Sequence, residues 1–322
     1  MRTIHSVLIA GLCLGLTACP TSSSVKRTEP DAAHTGSIAG LAGEYDNHAE
    51  RFSVDGKPAG PTAPPAIHYW ISTPEGDTGT LLWRVTLPET VPLQEGRWLL
   101  RYERNGFVPY RPLNAAAEGV FATGARFKYE AGDWAVLNAC TMKPAASRSG
   151  VEFAADPVAC GALLPGIGPV GALLPLRFRL DGDKLRVVNV ADQARGVDAA
   201  TVSQRVRWFG GWNAINGGGP KASPENNDWH LKRDLKLHSE GGRIPLVWRD
   251  GTPSGYTLEL ARLTYRESNT EVLRLAVIED ATSKTLAYVW GDPTARRIGL
   301  NLGWLQVGLE QNDSGGKEAV AR

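Results

Sequence analysis

The sequence predicts an all-β protein, an antiparallel β-barrel followed by a second antiparallel barrel or sandwich. Three observations carry this. Ten tryptophans, 36 glycines and 21 prolines against two methionines favour half-buried strands and turns over helices. Apolar and polar residues alternate with period two in one segment after another, as in strands with one buried face. Asp-Gly pairs at 181–182 and 250–251 interrupt such segments, and that dipeptide supplies the positive φ angles that a tight hairpin needs.

In chain order, the strand signals begin at "LAGEYDNHAERF", Leu41 to Phe52. Leu81, Trp83, Val85 and Leu87 then alternate with Leu82, Arg84 and Thr86, and Trp98, Leu100 and Tyr102 alternate with Leu99 and Arg101. "LRFRLDGDKLRVVNV" (Leu176 to Val190) reads as a hairpin, and "PLVWRDGTPSGYTLELARLTY" (Pro245 to Tyr265) as another. Glu271 to Asp280 and Lys284 to Trp290 supply the next pair. Short helices are expected at Asn47 to Arg51 and Asp192 to Ala200, and no long amphipathic helix competes. A composition shift at Asp198 to Gln204 precedes a second opening, "RVRWFGGWNAIN". The expected division is therefore a first barrel at 41–200, a second antiparallel β domain at 201–311 and a disordered tail at 312–322.

The N-terminal segment carries an address. Arg2 gives a positive start, Val7 to Leu16 is apolar, and "LTAC" follows at Leu16 to Cys19, the order of a secretory signal. "LTAC" resembles the bacterial lipobox, which implies removal of residues 1–18 and diacylation of the Cys19 thiol; the alternative is an ordinary signal peptide cut a few residues later. The apolar run is too short to span a bilayer, so membrane contact is expected through the lipid on Cys19. Pro20 stands where an inner-membrane retention signal shows Asp. The expected location is the inner leaflet of the outer membrane, facing the periplasm. Residues 19–40 then form the lipidated cysteine and a flexible tether, since Pro20 to Ser37 is polar and lacks periodicity.

Cys13 leaves with the signal and Cys19 takes the lipid, so Cys140 and Cys160 remain in an oxidising compartment. A disulfide between them is expected, worth about 3 kcal/mol by chain entropy; a reactive free thiol is the alternative, but neither cysteine has a basic neighbourhood. A net charge of +1 with no long basic run argues against nucleic acid as a partner.

Gly43-Glu44-Tyr45 and Gly210-Gly211-Trp212 head the two halves with the same glycine, any residue, aromatic pattern, which resembles the opening strand of lipocalin-type barrels. Further segments match one family in order: "GEYDNHAE" (Gly43 to Glu50), "PYR" (Pro109 to Arg111), "WAVLNAC" with "VEFAADPVAC" (Trp134 to Cys160) and "LRVVNVADQARGVD" (Leu185 to Asp198). Over Leu41 to Asp198 the chain resembles the CpcT/CpeT chromophore lyases. That resemblance implies a calycin-like, cup-shaped antiparallel barrel that holds a linear tetrapyrrole and attaches it to a phycobiliprotein cysteine. Carried over, Tyr45 and Asn47 match the opening aromatic and asparagine, while Glu50 stands where the family has glutamine. Tyr110 and Arg111 match a pair near the cup mouth, although Pro112 follows and the family's second arginine is absent. Cys140 and Cys160 match the two cysteine positions, and Asp192, Arg195 and Gly196 a looser element.

Glu44, Asp46 and His48 alternate, and with Tyr45 inward they are expected to face solvent; a metal or acid-base site on one strand lacks a second set of ligands. Tyr110 and Arg111 suit a carboxylate, with Arg able to bind it bidentately, and equally suit a fixed turn between Pro109 and Pro112. "CGALLPGIGPVGALLPL" (Cys160 to Leu176) is expected to be a connector packed on the barrel; a lid or a bilayer-dipping patch is the alternative. Asn213 to Asp234 reads as a long polar loop with Asp228, Trp229 and His230, followed by His238 on a strand. No nucleophile elbow, triad spacing, phosphate-binding glycine motif or paired-histidine zinc helix is present, so no catalytic residue, metal or cofactor is expected. The function expected is binding of a small, largely apolar ligand in the first barrel by Tyr45, Asn47, Tyr110 and Arg111. The alternatives are an assembly role on another envelope protein and, more weakly, a lyase acting on a tetrapyrrole-like ligand.

Overall fold

The computed structural model describes residues 38, 40–52, 63–103, 105–123, 127–147, 150–163, 166–194, 200–223, 225–265 and 270–312. Cys19, the signal segment, Pro20 to Ser37, Arg195, Gly196 and the tail beyond 312 lie outside them. The architecture is all-β, one large curled antiparallel sheet followed by two four-stranded antiparallel sheets.

The first sheet has eleven strands: β1 Gly43–Asp46, β2 His68–Ser72, β3 Thr80–Leu87, β4 Gln94–Glu103, β5 Gly106–Pro112, β6 Trp134–Val136, β7 Lys143–Ser147, β8 Gly150–Ala154, β9 Pro175–Asp181, β10 Lys184–Asn189 and β11 Thr201–Arg205. Neighbours run β6-β5-β4-β3-β2-β1-β11-β10-β9-β8-β7. The sheet curls into a half-barrel, and one isolated bridge ties β5 to the segment just before β7, where Phe107 and Met142 exchange two backbone hydrogen bonds of 2.8 Å.

Period-two alternation decides which side chains fill the interior. Trp83 on β3 and Trp98 on β4 sit opposite each other in register and are 0% and 1% exposed. Phe178 on β9 lies 5.2 Å from Trp83, 5.6 Å from Phe107 and 5.3 Å from Phe153, so aromatic rings from several walls meet in the middle. Described parts of the segment after Cys160 pack on the barrel. Its 3₁₀ turn Pro169–Leu173 packs on β4, and Ile167, Leu173 and Leu174 join the interior cluster. Cys140 and Cys160 are disulfide-bonded and fully buried. On the outer face, Leu82, Leu99, Val108 and Tyr110 are covered by Ala117 and Phe121 of the helix Ala115–Thr123 and by Trp134.

The second unit is a consecutive meander: β12 Trp208–Asn216, β13 Trp229–His238, β14 Glu240–Val247, β15 Pro253–Tyr265, β16 Thr270–Glu279, β17 Lys284–Gly291, β18 Arg297–Asn301 and β19 Leu305–Gln311. They form the sheets β13-β12-β19-β18 and β14-β15-β16-β17 around one core that includes Phe209, Ile215, Leu258, Leu275 and Leu305. The first and last strands pair, and the chain passes between the sheets twice, through Ser239 after β13 and through residues 292–296 after β17.

Three boundaries differ from the sequence reading. The first unit extends to Arg205 rather than ending at residue 200, because β11 bridges β10 and β1. The polar loop is confined to 217–228, since Asn213 to Asn216 and Trp229 to Asp234 are strand. His48 is not on β1: the backbone turns at Asn47 into the one-turn helix His48–Arg51.

Candidate functional site

The residues singled out in the first half do not converge. Tyr45 is fully buried; its hydroxyl donates to the Leu41 carbonyl at 3.0 Å and the Arg205 guanidinium lies 4.8 Å from its ring. Burial pushes its pKa up to about 12, against the pull of Arg205. Asn47 is also fully buried, and both ends of its amide are spent on backbone: Nδ2 donates to the Pro65 carbonyl at 2.8 Å and Oδ1 accepts from the Ile67 N–H at 2.9 Å. Tyr110 faces the outer cluster and donates to Glu103 at 2.9 Å. Arg111 follows it on the same strand, so the two side chains leave opposite faces; the Arg111 Nε is buried without a hydrogen-bond partner. Glu50, at the position that departs from the family, accepts from the Val202 N–H at 3.0 Å.

Glu44 and Asp46 do point out of the first barrel, but the expectation that they meet solvent is corrected. His68 on β2, directly opposite Asp46, holds both: Nδ1 is 2.8 Å from Asp46 Oδ2 and Nε2 is 2.9 Å from Glu44 Oε1. From the second unit, Trp208 Nε1 donates to the other Glu44 oxygen at 2.7 Å. These side chains are 10–19% exposed. Burial opposes a charge on His68, but the hydrogen bonds and charges of Asp46 and Glu44 outweigh it and raise its pKa from 6.5 to about 9. Burial likewise opposes ionisation of Glu44, yet His68 and Trp208 hold its carboxyl below the usual range.

This triplet opens a polar seam between the units. His48 packs against Gly241, where a Cβ would lie 2.5 Å from the ring, and burial pushes its pKa down to about 4. Arg262 donates to Gln204 Oε1 at 2.9 Å and to the Arg205 carbonyl at 3.2 Å, and lies 3.3 Å from Glu240. Burial raises the Glu240 pKa to about 8 despite that arginine. Lys184 and Glu271 form a further ion pair across it. Among the described residues no group of three or more His, Cys, Asp or Glu side chains is disposed to hold a metal ion. The seam offers protons and rigidity but little open surface to a substrate.

Open surface is found instead at one end of the second unit, where the turns after β12, β14, β16 and β18 gather. The β12–β13 loop is fixed at its base: Gly217 N–H donates to the Asp228 carbonyl at 2.9 Å and Asn216 Nδ2 to the Asn226 carbonyl at 2.7 Å. Its tip folds inward at Gly219, whose φ of +57° favours glycine and whose would-be Cβ would lie 3.2 Å from Trp248, 3.5 Å from Tyr256 and 3.9 Å from Trp304. The Tyr256 and Trp304 rings lie 5.0 Å apart, tilted at 52°. Two clefts flank this turn and share Gly218. One, of about 570 Å³, is lined by Asp228, His230, Trp248, Arg249 and Asp250; the other, of about 600 Å³, by Lys221, Tyr256, Glu279, Leu286 and Trp304. Arg249 is paired with Asp228 at 2.8 Å. Reading the sequence placed Asp228, Trp229 and His230 here but missed Trp248, Tyr256, Asp250 and Trp304. Their signal was an aromatic at a strand end beside a turn, as in "VWRDG" and "LGW".

Among the described residues no helix is long and apolar enough to cross a membrane, which says nothing about crossing with strands. A scan against protein-family models, a search of curated proteins and a search of solved structures each found no match to this chain.

Proposed function

We propose that this chain is a lipid-anchored, periplasm-facing binding protein whose ligand site is the mouth of the second β unit and not the interior of the first. One contrast carries the reading. The first interior is occupied by Trp83, Phe107, Phe153 and Phe178, with the Pro169–Leu173 turn packed on β4, whereas the second mouth has two open clefts beside half-buried aromatic rings. Ligand sites combine apolar walls with a few placed polar groups, and the mouth supplies both. The anchor at Cys19 and the envelope location rest on the N-terminal sequence.

The test is native mass spectrometry of the full chain purified in detergent from its own host. We expect a recurrent adduct that is lost in Trp304→Ala and kept in Arg111→Ala. The reverse pattern would return the ligand to the first barrel. A second reading, an assembly role, is favoured by the outward stripe on β17, where Leu286, Tyr288 and Trp290 are 44%, 53% and 46% exposed and the two aromatic rings stack at 5.1 Å. Absence of any adduct together with a stoichiometric protein partner in a pull-down would select it.

A further inference from the structure

We propose that the mouth of the second unit takes a neutral oligosaccharide; this rests on the binding reading above and names the ligand class. Trp248, Tyr256 and Trp304 are half-buried around one turn, so they keep part of their rings available at the mouth. Pyranose rings are amphipathic: their C–H faces pack on aromatic rings while their hydroxyls project from the edge. The rim answers that second need. Asp228, Asp250, Glu279 and Arg249 are planar groups suited to paired hydrogen bonds with neighbouring hydroxyls.

Charge narrows the class. Of the lining residues Asp228, Asp250 and Glu279 are acidic and Arg249 and Lys221 are permanent cations; Arg249 is already paired with Asp228, and Lys284 lies opposite Glu279 on the neighbouring strand. An anionic ligand would therefore gain little from the mouth and meet repulsion there. Shape narrows it again. Lipid-like ligands need enclosure of most of their surface, and these clefts are open on either side of Gly218. Two adjoining open clefts suit a chain of rings lying across the turn.

The experiment is calorimetric titration of the full chain in detergent with three trisaccharides: β-1,4-linked N-acetylglucosamine, β-1,4-linked glucose and α-1,4-linked glucose. Wild type, Trp304→Ala and Asp250→Ala are compared; Asp250 is exposed but its Oδ1 accepts from the Thr252 N–H at 3.0 Å and hydroxyl at 2.7 Å, so a thermal melt of each variant checks that the fold is kept. We expect saturable binding of at least one trimer, weakened at least tenfold in both variants. Binding unchanged in both variants would overturn the placement at the mouth. No binding by any trimer at millimolar concentration would overturn the saccharide class. In that case an adduct lost in Trp304→Ala leaves the binding reading standing, and no adduct at all removes both.

Discussion

Replacing His68 by alanine tests whether the seam is held by one imidazole between two carboxylates. In the wild type His68 bridges Asp46 at 2.8 Å and Glu44 at 2.9 Å with 11% of its side chain exposed. Its pKa rises from 6.5 to about 9 on folding. That difference, at about 1.36 kcal/mol per pH unit, is worth about 3 kcal/mol. The sign follows from linkage. A histidine whose folded pKa is raised stabilises fully below its unfolded value of 6.5, and the contribution disappears as pH rises through about 9. His68→Ala also leaves Glu44 and Asp46 side by side on β1 without their shared partner, and removing one partner of a buried pair costs about 3–5 kcal/mol. Urea denaturation of both proteins at pH 6, 7.5 and 9.5 reads both effects. We expect the variant to be about 3 kcal/mol less stable at pH 6 and the gap to shrink towards pH 9.5. A gap below about 1 kcal/mol at pH 6, the range of an exposed pair, or one independent of pH, would refute a charged, buried His68.

Other consequences are as direct. His48 is held near a pKa of about 4 by burial, so it stays neutral in the fold; its contribution is complete above 6.5 and is lost as pH falls towards 4. His48→Gln should flatten that acid limb of the stability curve, measured by thermal melts between pH 7 and 4. Asn47→Ala strands the buried Ile67 N–H and removes the bond to the Pro65 carbonyl, and a loss of about 2 kcal/mol is expected in urea. Cys140→Ser opens a loop of sequence separation 20; about 3 kcal/mol should be lost, and reductant should lower the wild type to the same level while leaving the variant unchanged.

The strands were legible because their period-two patterns are local: Leu81, Trp83 and Val85 alternate in the sequence and share the interior in the fold. The division into two β units was legible for the same reason. What failed depended on partners far away in the chain. His68 carries no signal in "HYWIS", because its carboxylates lie 22 and 24 residues back and Trp208 enters from the other unit. Asp198 to Gln204 read only as a composition shift between the halves, because it is short of large apolar residues. Yet Gln204 is 5% exposed and accepts from Arg262 at 2.9 Å. Asn216, being polar, looked like loop, and it is 4% exposed because its amide bonds to the Asn226 carbonyl. Polarity predicts exposure only where no hydrogen-bond partner waits in the fold.

The two units divide the work of the chain on energetic grounds. A barrel filled by tryptophan and phenylalanine gains its stability from burial and would lose packing if a ligand displaced those rings. Through Trp208, Arg262 and His48 that stability is passed across the seam to the frame carrying the mouth. The mouth itself is ordered before any ligand arrives, since Gly217, Asn216 and Gly219 pin the loop to Asp228, Asn226 and the three aromatic rings. A site already ordered leaves less conformational entropy to be lost on binding. On the proposed reading, open clefts can then hold a ligand through a few aimed contacts, with the first barrel as ballast for a rigid rim.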